Sequence, residues 1–345
     1  MTKPAPGFEP RPDAQPDSRG VLRMEAVPRP QRFAFVLLDN FTLMAFAGAI
    51  EPLRLANRMA GGTLYEWSVL TVTGAPVAAS NGVVVQADGP LNEVSRETTI
   101  IVVGGLRVKD AISRPLLTWL RLSERRGSAV GALCTGAEVI AEAGLLAGRR
   151  CTIHWENRAS FEEDHPDIEL AHTIYVIDQN RYTAAGGTAS TDLMLSLIAR
   201  RHGSDLANLV ADQMIHTAIR SDRDEQRLSI PTRIGVRHPK LAIVLRRMEE
   251  GIEEPVSPTI LAEDVGMSTR QLERLFRRYL NRSPKRYYME LRLQKARGLL
   301  QQTEMSVINV ALACGFTSPS HFSKCYRAFY KTTPYRERGI AEPEA

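Results

Sequence analysis

Residues that build metal centres and disulfide frameworks are scarce in this sequence. It contains four cysteines, and no two of them stand in a CxxC pair or in the spacing of a disulfide framework. The seven histidines form neither an HxxxH pair nor a Cys/His cluster. We therefore expect no metal, no cofactor and no structural disulfide, and we expect the reducing cytoplasm as the protein's location.

Long apolar runs are absent as well. No stretch approaches the roughly 20 apolar residues that a membrane-spanning helix needs, and the N-terminus lacks the charged and then apolar pattern of a signal peptide. Seven of the 20 prolines fall in residues 1–30, which we interpret as a disordered leader. The 345 residues, 43% of them hydrophobic, are enough for two domains with ample cores. We therefore expect no membrane partner.

The pattern of a helix–turn–helix motif occurs twice, in 257–280 and 305–330. An alanine that lets two helices cross closely stands four residues before a glycine, whose left-handed backbone ends the first helix. A hydroxyl residue then caps the second helix. Because the copies match at a distance of 49 or 50 residues, the segment is an internal duplication. The corresponding residues are Ala262 and Ala311, Gly266 and Gly315, and Ser268 with either Thr317 or Ser318.

Positive charge is concentrated beside the first motif. Residues 268–297 hold ten Lys or Arg against two acidic residues, in a chain whose formal net charge is +5. Residues 240–345 hold 18 against 12, whereas the remainder is nearly neutral at 26 against 27. A basic face can be merely solvated, but here it coincides with the duplicated turns. This combination favours a phosphate backbone as the partner.

The second helix of each motif is a predicted recognition helix. We expect an inward apolar stripe on each, comprising Leu272, Leu275 and Phe276 in one and Phe322, Tyr326 and Phe329 in the other. The remaining positions then face solvent or DNA, and residues 283–303 between the motifs predict a stiff linker helix. Arginine can donate two hydrogen bonds to the major-groove edge of guanine, and glutamate can accept one from the amino group of cytosine. The predicted DNA contacts are Arg270, Glu273, Arg274, Arg277, Arg278, Lys285, Ser320, His321 and Lys324.

Residues 240–338 resemble the DNA-binding domain of the AraC/XylS family of transcription regulators. The stretch GFTSPSHFSKCYRAFYKTTPYRER is similar to that family's signature through Pro334. The resemblance implies an all-α domain with two helix–turn–helix motifs, which we place at 239–338, and it implies double-stranded DNA and RNA polymerase as partners. The charged, proline-containing residues 206–238 are the expected linker.

Residues 31–205 alternate between two hydrophobic periodicities. Short apolar runs predict strands, and amphipathic stretches between them predict helices. Alternation of this kind is typical of an α/β domain with a mostly parallel sheet covered by helices. The predicted strands include 32–38, 64–72, 98–103 and 128–133, and the predicted helices include 43–60, 110–126 and 136–144.

Three strand ends in this domain carry candidate site residues. Cys134 follows a strand directly and Gly136 opens a helix, which places the sulfur at an elbow facing the positive helix end. Such a site lowers the pKa of a thiol, although an inert buried thiol fits the residue equally well. Another strand ends at Gly104 and Gly105, whose backbone N–H groups we expect in the same pocket. The run CTIHWEN brings His154, Trp155 and Glu156 to a third strand end, where the first two also fit a core role.

These stretches resemble the class I glutamine-amidotransferase-like superfamily, in the branch of PfpI-type proteases and isonitrile hydratases. The resemblance rests on the VVGG strand end, the CTG elbow and the TIHW strand end. In the catalytic branches an acidic residue after the first strand activates the cysteine, and in the proteases a histidine follows it. Here those positions hold Ala45 and Thr135. The resemblance therefore implies a sensor domain with no enzymatic activity.

The stretches GALCTG, CTIHWENRASF and GGTASTDLMLSLI are similar to regulators that control the catabolism of glycine betaine, carnitine and arginine. The resemblance implies a homodimeric DNA-binding activator that senses a small amino-nitrogen metabolite. An alternative of another class is a cysteine-dependent hydrolase or amidotransferase with a DNA-binding tail, against which the missing acid at Ala45 argues. The expected effector-binding residues are Gly104, Gly105, Cys134, Thr135, His154, Trp155 and Glu156.

Overall fold

The computed structural model describes residues 29–226 and 238–339, which divide into two compact units. The first unit contains the described residues through Leu145 together with Tyr175–Asp222, and the second contains Leu146–Ile174 together with the chain from Arg223 onward. The predicted leader falls almost wholly outside the described residues, as do positions 227–237 of the predicted linker. No helix in the two described ranges is long and apolar enough to cross a lipid bilayer.

The described strands follow one another along the first 184 residues. They are β1 Gln31–Leu37, β2 Tyr65–Thr71, β3 Val77–Ala78, β4 Val84–Val85, β5 Gly89–Pro90, β6 Thr98–Val103, β7 Val130–Leu133, β8 Arg150–Cys151, β9 Glu169–Leu170, β10 Tyr175–Asp178 and β11 Arg181–Ala184. Seven of them form one sheet in the order β10-β11-β7-β6-β1-β2-β5. Every pair in that sheet is parallel except β10 with β11, which confirms the predicted mostly parallel sheet.

The central strands are continuous apolar runs because both faces of the sheet are covered. All six residues of β6 are buried, and so are the last five of β1. Parallel strands buried on both faces show this pattern instead of alternation. The aromatic rings of Phe33 and Phe35 lie 6.1 Å apart within this core.

The described residues before Met214 contain six α-helices. They are α1 Leu43–Ala60, α2 Arg114–Arg125, α3 Gly136–Glu142, α4 Arg158–Asp164, α5 Ala189–His202 and α6 Ser204–Gln213. Helix α1 ends at Gly61, whose φ of 63° supplies the left-handed cap.

Helix α6 lies where the sequence predicted the start of a linker. Its Leu206 and Val210 are buried, and the helix packs against α1 and α5 within the first unit. The prediction that the linker begins at 206 is therefore wrong. Apolar residues at helical spacing bury one face of α6, and the charged stretch that marks a connection begins only near Arg220.

The C-terminal part of the second unit is all helix, as the sequence predicted. Its helices are α7 Pro239–Glu250, α8 Pro258–Glu263, α9 Thr269–Leu280, α10 Pro284–Gln302, α11 Val307–Ala313, α12 Pro319–Tyr330 and α13 Pro334–Glu337. Helices α8 to α13 each begin after a Ser or Thr whose hydroxyl oxygen accepts from a backbone N–H three residues on. These caps satisfy N–H groups that a helix end otherwise leaves unpaired.

Helix α10 joins two hydrophobic cores. Tyr287 and Tyr288 in its first turns belong to a core with Leu272 and Phe276 of the first motif. Farther along, buried residues of the same helix belong to the core of the second motif, and they are Leu293, Ala296, Leu299 and Leu300. The helix has 19 residues and is about 28 Å long. Because both cores include one continuous helix, the predicted stiff linker is present.

Residues 146–174 were predicted to lie within the sensor domain, but they cluster with the DNA-binding helices. This segment contains the β8–β9 pair and helix α4. The Gln226 amide donates to Thr152 Oγ1 at 2.9 Å and to the Ile153 carbonyl at 2.8 Å. The chain that leads toward α7 is thereby hydrogen-bonded to residues just before His154.

Candidate effector site and DNA-binding surface

The neighbouring strands β1, β6, β7 and β11 have their last residues paired side by side. Leu37 of β1 is beside Val103 of β6, Val103 is beside Leu133 of β7, and Leu133 is beside Ala184 of β11. Because these strands are parallel, the loops that follow them lie along the same edge of the sheet. Open α/β sheets bind their ligands at this carboxyl edge.

Cys134 occupies the predicted strand-to-helix elbow. Its φ is 59°, in the left-handed region that a residue with a Cβ seldom adopts. Its N–H donates to the Ala184 carbonyl at 2.9 Å, and α3 begins two residues later at Gly136. A Cβ on Gly186 would lie 2.8 Å from the Cβ of Cys134, so only glycine fits against the elbow from the β11 loop.

Thr42, which sequence reasoning missed, supplies the group that faces the thiol. Its hydroxyl donates to the Cys134 sulfur at 3.4 Å, and its N–H donates to the Gly104 carbonyl at 3.0 Å. Ala45, where the resemblance placed the missing acid, is fully buried one turn farther along α1. The sequence could have indicated Thr42, because this residue stands in the loop between β1 and the apolar helix α1, and that loop lies at the carboxyl edge of the sheet.

The two glycines after β6 hold the elbow in place. The N–H of Gly104, predicted to line the effector pocket, donates instead to the Leu133 carbonyl at 3.2 Å and extends the β6–β7 pairing. A Cβ on Gly104 would lie 2.4 Å from the Gly136 nitrogen, so glycine lets the elbow approach. The Thr135 hydroxyl donates to the Gly105 carbonyl at 2.7 Å. Thr135 therefore fixes the loop that follows β6.

His154, Trp155 and Glu156 lie in the second unit. Burial lowers the pKa of His154, and Glu156 opposes the shift. The His154 Nδ1 accepts from the Glu156 N–H at 3.4 Å, which suits a neutral imidazole. Trp155 is 37% exposed and is therefore not a core residue. Participation of these three residues in an effector pocket stays a prediction.

Helix α9 presents the predicted base-reading side chains to solvent. A capping box between Ser268 and Gln271 fixes its first turn. Within the described residues Arg270, Arg274 and Arg277 are exposed and make no ion pair, so their guanidinium groups are available to DNA. The other predicted contacts are exposed too, and they are Glu273, Arg278, Lys285, Ser320, His321 and Lys324.

Helix α12 repeats the geometry of α9. Its cap is Ser318, not Thr317, since the Ser318 oxygen accepts from the His321 N–H at 3.3 Å. Both helices have 12 residues, and each ends at a left-handed residue, Asn281 in one and Lys331 in the other. The matching caps at both ends support the duplication inferred from the sequence.

Phe329 departs from the predicted inward stripe of α12. Phe322 and Tyr326 are fully buried, but Phe329 is 40% exposed. It lies in the last turn of α12, at the margin of the core, where it lines an open groove with Met289 and Leu293 of α10. The prediction that Phe329 points into the core is wrong for this reason.

Two family models match this chain, and together they cover most of its described residues. A family model described as "Helix-turn-helix domain" matches residues 261–339, and one described as "DJ-1/PfpI family" matches residues 31–200. The HTH-type transcriptional regulator GbdR of Pseudomonas aeruginosa is 44% identical over 309 residues, 90% of this chain and 84% of GbdR. The regulator CdhR of the same organism is 46% identical over 310 residues, 90% of this chain and 92% of CdhR.

A solved structure supports the fold of the first unit. The ThiJ/PfpI family protein from Pseudomonas syringae is 20% identical, with a TM-score of 0.50 over 64% of this chain and 87% of that chain. Together these matches define a DNA-binding transcription regulator with an α/β domain of DJ-1/PfpI type. The chain belongs to the family of HTH-type transcriptional regulators that join such a domain to an AraC-type helix–turn–helix domain.

If Arg274 makes the predicted base-edge contact, replacing it by alanine should reduce discrimination at one or two base pairs by about 1–3 kcal/mol. Replacing Lys285 by alanine should instead weaken all DNA sequences alike, since a phosphate contact carries no sequence information. Titration of both variants on specific and random DNA measures the difference. Equal loss on the two DNAs for Arg274→Ala would remove this residue from the base contacts.

Proposed function

We propose that the protein is a cytoplasmic, homodimeric activator that recruits RNA polymerase in response to a small amino-nitrogen metabolite. The observation that carries the proposal is one chain with both a strand-end elbow of DJ-1/PfpI type and two exposed recognition helices. Arg270 and Arg274 are the proposed base-reading residues, and Arg278 and Lys285 are proposed to contact phosphates. The two recognition helices then enter successive major-groove segments about 34 Å apart on one face of the duplex.

The proposed effector is a zwitterion such as a betaine or an amino acid. At the elbow, the Thr42 hydroxyl and the start of α3 offer donors that suit a carboxylate. Considered by itself, the second unit has an exposed indole at Trp155 and a carboxylate at Glu156, groups that suit a substituted ammonium with a cation–π attraction of about 0.5–2 kcal/mol. Sugars and purely apolar ligands match neither set of groups.

A thermal-shift screen tests the effector class. A ligand that binds only the native protein raises the unfolding midpoint with its concentration. We expect glycine betaine, carnitine or an amino acid to raise the midpoint, and sugars of similar size to leave it unchanged. A panel in which no nitrogenous zwitterion raises the midpoint at millimolar concentration would refute this effector class.

The first unit is proposed to have no enzymatic activity. The thiol of Cys134 accepts a hydrogen bond from the neutral hydroxyl of Thr42. Where the catalytic branches have an activating acid, this chain has the buried Ala45, whose methyl group cannot act as a base. A neutral hydroxyl does not take the thiol proton at neutral pH, so Thr42 does not activate the thiol as the acidic residue of the catalytic branches would.

Replacing Cys134 by serine should therefore leave regulation intact. Serine keeps the size of the side chain and can still accept from Thr42, so transcriptional activation should stay within about twofold of wild type. Activation is measured with a reporter gene, and hydrolysis of amide and ester substrates is measured in parallel on both proteins. If the wild-type protein shows a measurable turnover, and Cys134→Ser abolishes both this turnover and transcriptional activation, the hydrolase alternative would be supported instead.

A further inference from the structure

Helix α4 packs against the linker helix α10 within the second unit. Ala159 of α4 contacts the hydrophobic core of the second helix–turn–helix motif. The neighbouring Ser160 is buried, and its hydroxyl donates to Gln302 Oε1 near the end of α10 at 3.0 Å. A residue of the stretch that resembles amidotransferase-like proteins is therefore hydrogen-bonded to the helix that connects the two DNA-binding motifs.

A glycine lies on the same face of α10, close to the segment before α4. Gly298 precedes Gln302 by four residues, so both lie on one side of the helix. A Cβ built on Gly298 would meet the Glu156 carbonyl oxygen at 4.0 Å, an ordinary contact distance that leaves little room beyond a methyl group. Glycine inside a helix is about 1 kcal/mol less favourable than alanine. A side chain larger than that of alanine at position 298 would therefore meet the Glu156 carbonyl.

Arg158 of α4 is influenced by carboxylates on other elements of the second unit. Burial lowers the pKa of Arg158, and the carboxylates of Glu162, Glu225 and Glu249 oppose the shift, the last of them on α7. Burial raises the pKa of the Cys314 thiol at the end of α11, and Glu163 of α4 adds a small further increase.

We propose that residues 155–164 are a docking element whose partner is the face of α10 formed by Gly298 and Gln302. The docked segment follows His154 directly and includes Trp155 and Glu156, and all three are predicted effector-binding residues. This inference rests on the proposed function, because it gives effector binding a physical connection to the helix that sets the spacing of the two recognition helices. The element and α10 form the kind of contact that a ligand can bias between two states.

Hydrogen exchange on the full chain tests the docking at a single position. Gly298→Ala should keep the protection of the α4 amides, because its methyl group fits at 4.0 Å. Gly298→Met should displace the segment around Glu156 and speed exchange of the hydrogen-bonded amides of 162–165 at least tenfold, while the strand amides of β6 stay protected. The same protection of α4 in the methionine and alanine variants would overturn the proposal.

A second pair of variants avoids any effect of Gly298→Met on folding. Gln302→Ala removes the hydrogen bond with Ser160 and should speed exchange in α4 at least threefold. The matched control is Gln301→Ala, because the Gln301 amide donates to Glu337 of α13 and not to α4. Equal α4 exchange in these two variants would also contradict docking. Neither assay uses DNA or effector, so failure of the proposed function in binding assays is distinguishable from failure of the docking.

Discussion

Replacing Gly315 by alanine should destabilise the second helix–turn–helix motif by about 2–5 kcal/mol. The φ of Gly315 is 71°, where a residue with a Cβ costs roughly 1–2 kcal/mol. The added Cβ would also lie 2.5 Å from the Ile252 carbonyl oxygen and 2.8 Å from that of Glu253. Overpacking against backbone atoms typically costs about 1–3 kcal/mol more.

The turn has little freedom to relax around the new methyl group. The guanidinium of Arg292 donates to the carbonyls of Cys314 and Gly315 at 2.7 and 2.6 Å. The same guanidinium carbon lies 4.0 Å from the centre of the Phe316 ring. These contacts hold both neighbours of the glycine, so the strain should appear as lost stability of the motif.

The equivalent glycine of the first motif provides the matched control. Gly266 has a φ of 61°, but the atom nearest to an added Cβ is the flexible Lys240 Nζ at 3.7 Å. Gly266→Ala should therefore cost only the conformational penalty, about 1–2 kcal/mol. Urea denaturation followed by circular dichroism, with hydrogen exchange assigning the loss to each motif, measures both variants. A loss for Gly266→Ala equal to that for Gly315→Ala would contradict the steric explanation.

Replacing Asp192 by alanine should destabilise the first unit by about 2–4 kcal/mol. The carboxylate is fully buried and accepts from Arg220 through its backbone N–H at 2.8 Å, its Nε at 3.0 Å and its Nη2 at 2.6 Å. It also contacts His216 Nε2 at 2.9 Å. Breaking a fully buried pair costs about 3–5 kcal/mol, and we expect less because the Arg220 side chain is 36% exposed.

The same substitution should release the chain that follows α6. Arg220 also donates to Thr188 Oγ1 at 2.7 Å, at the start of α5, so the network ties residues 214–222 to that helix. Limited proteolysis near residue 220 should become faster together with the loss in unfolding free energy. Asp205→Ala, at an exposed acid in the first turn of α6, is the control and should stay within about 0.5 kcal/mol of wild type. A loss below 1 kcal/mol for Asp192→Ala would show that the network contributes little.

Local signals in the sequence were enough to predict much of the fold. The turn glycines Gly266 and Gly315, each followed by a hydroxyl cap, predicted both recognition helices. The elbow at Cys134 was predictable because an apolar run ends there and a glycine-initiated helix follows. In each case the determinant lies within a few residues along the chain.

The remaining features depend on contacts between distant segments. Thr42 reaches Cys134 only because β1 and β7 flank β6 in the sheet, and neither local pattern contains that order. The packing of α4 on α10 joins residues 142 positions apart in sequence. Phe329 follows Phe322 and Tyr326 at helical spacing, so the sequence predicts that it is buried. It is exposed because the core ends before the last turn of the helix, which the local sequence does not show.

Quantitative footprinting of the full chain, with and without glycine betaine, carnitine or arginine, tests the central claim most directly. DNA sites selected from a random pool serve as probes, and unselected DNA serves as the control. We predict protection of two segments about one helical turn apart on one face of the duplex, with an affinity that at least one of the zwitterions changes several-fold. Equal affinity for selected and unselected DNA, without paired protected segments and without any response to the zwitterions, would contradict the claim.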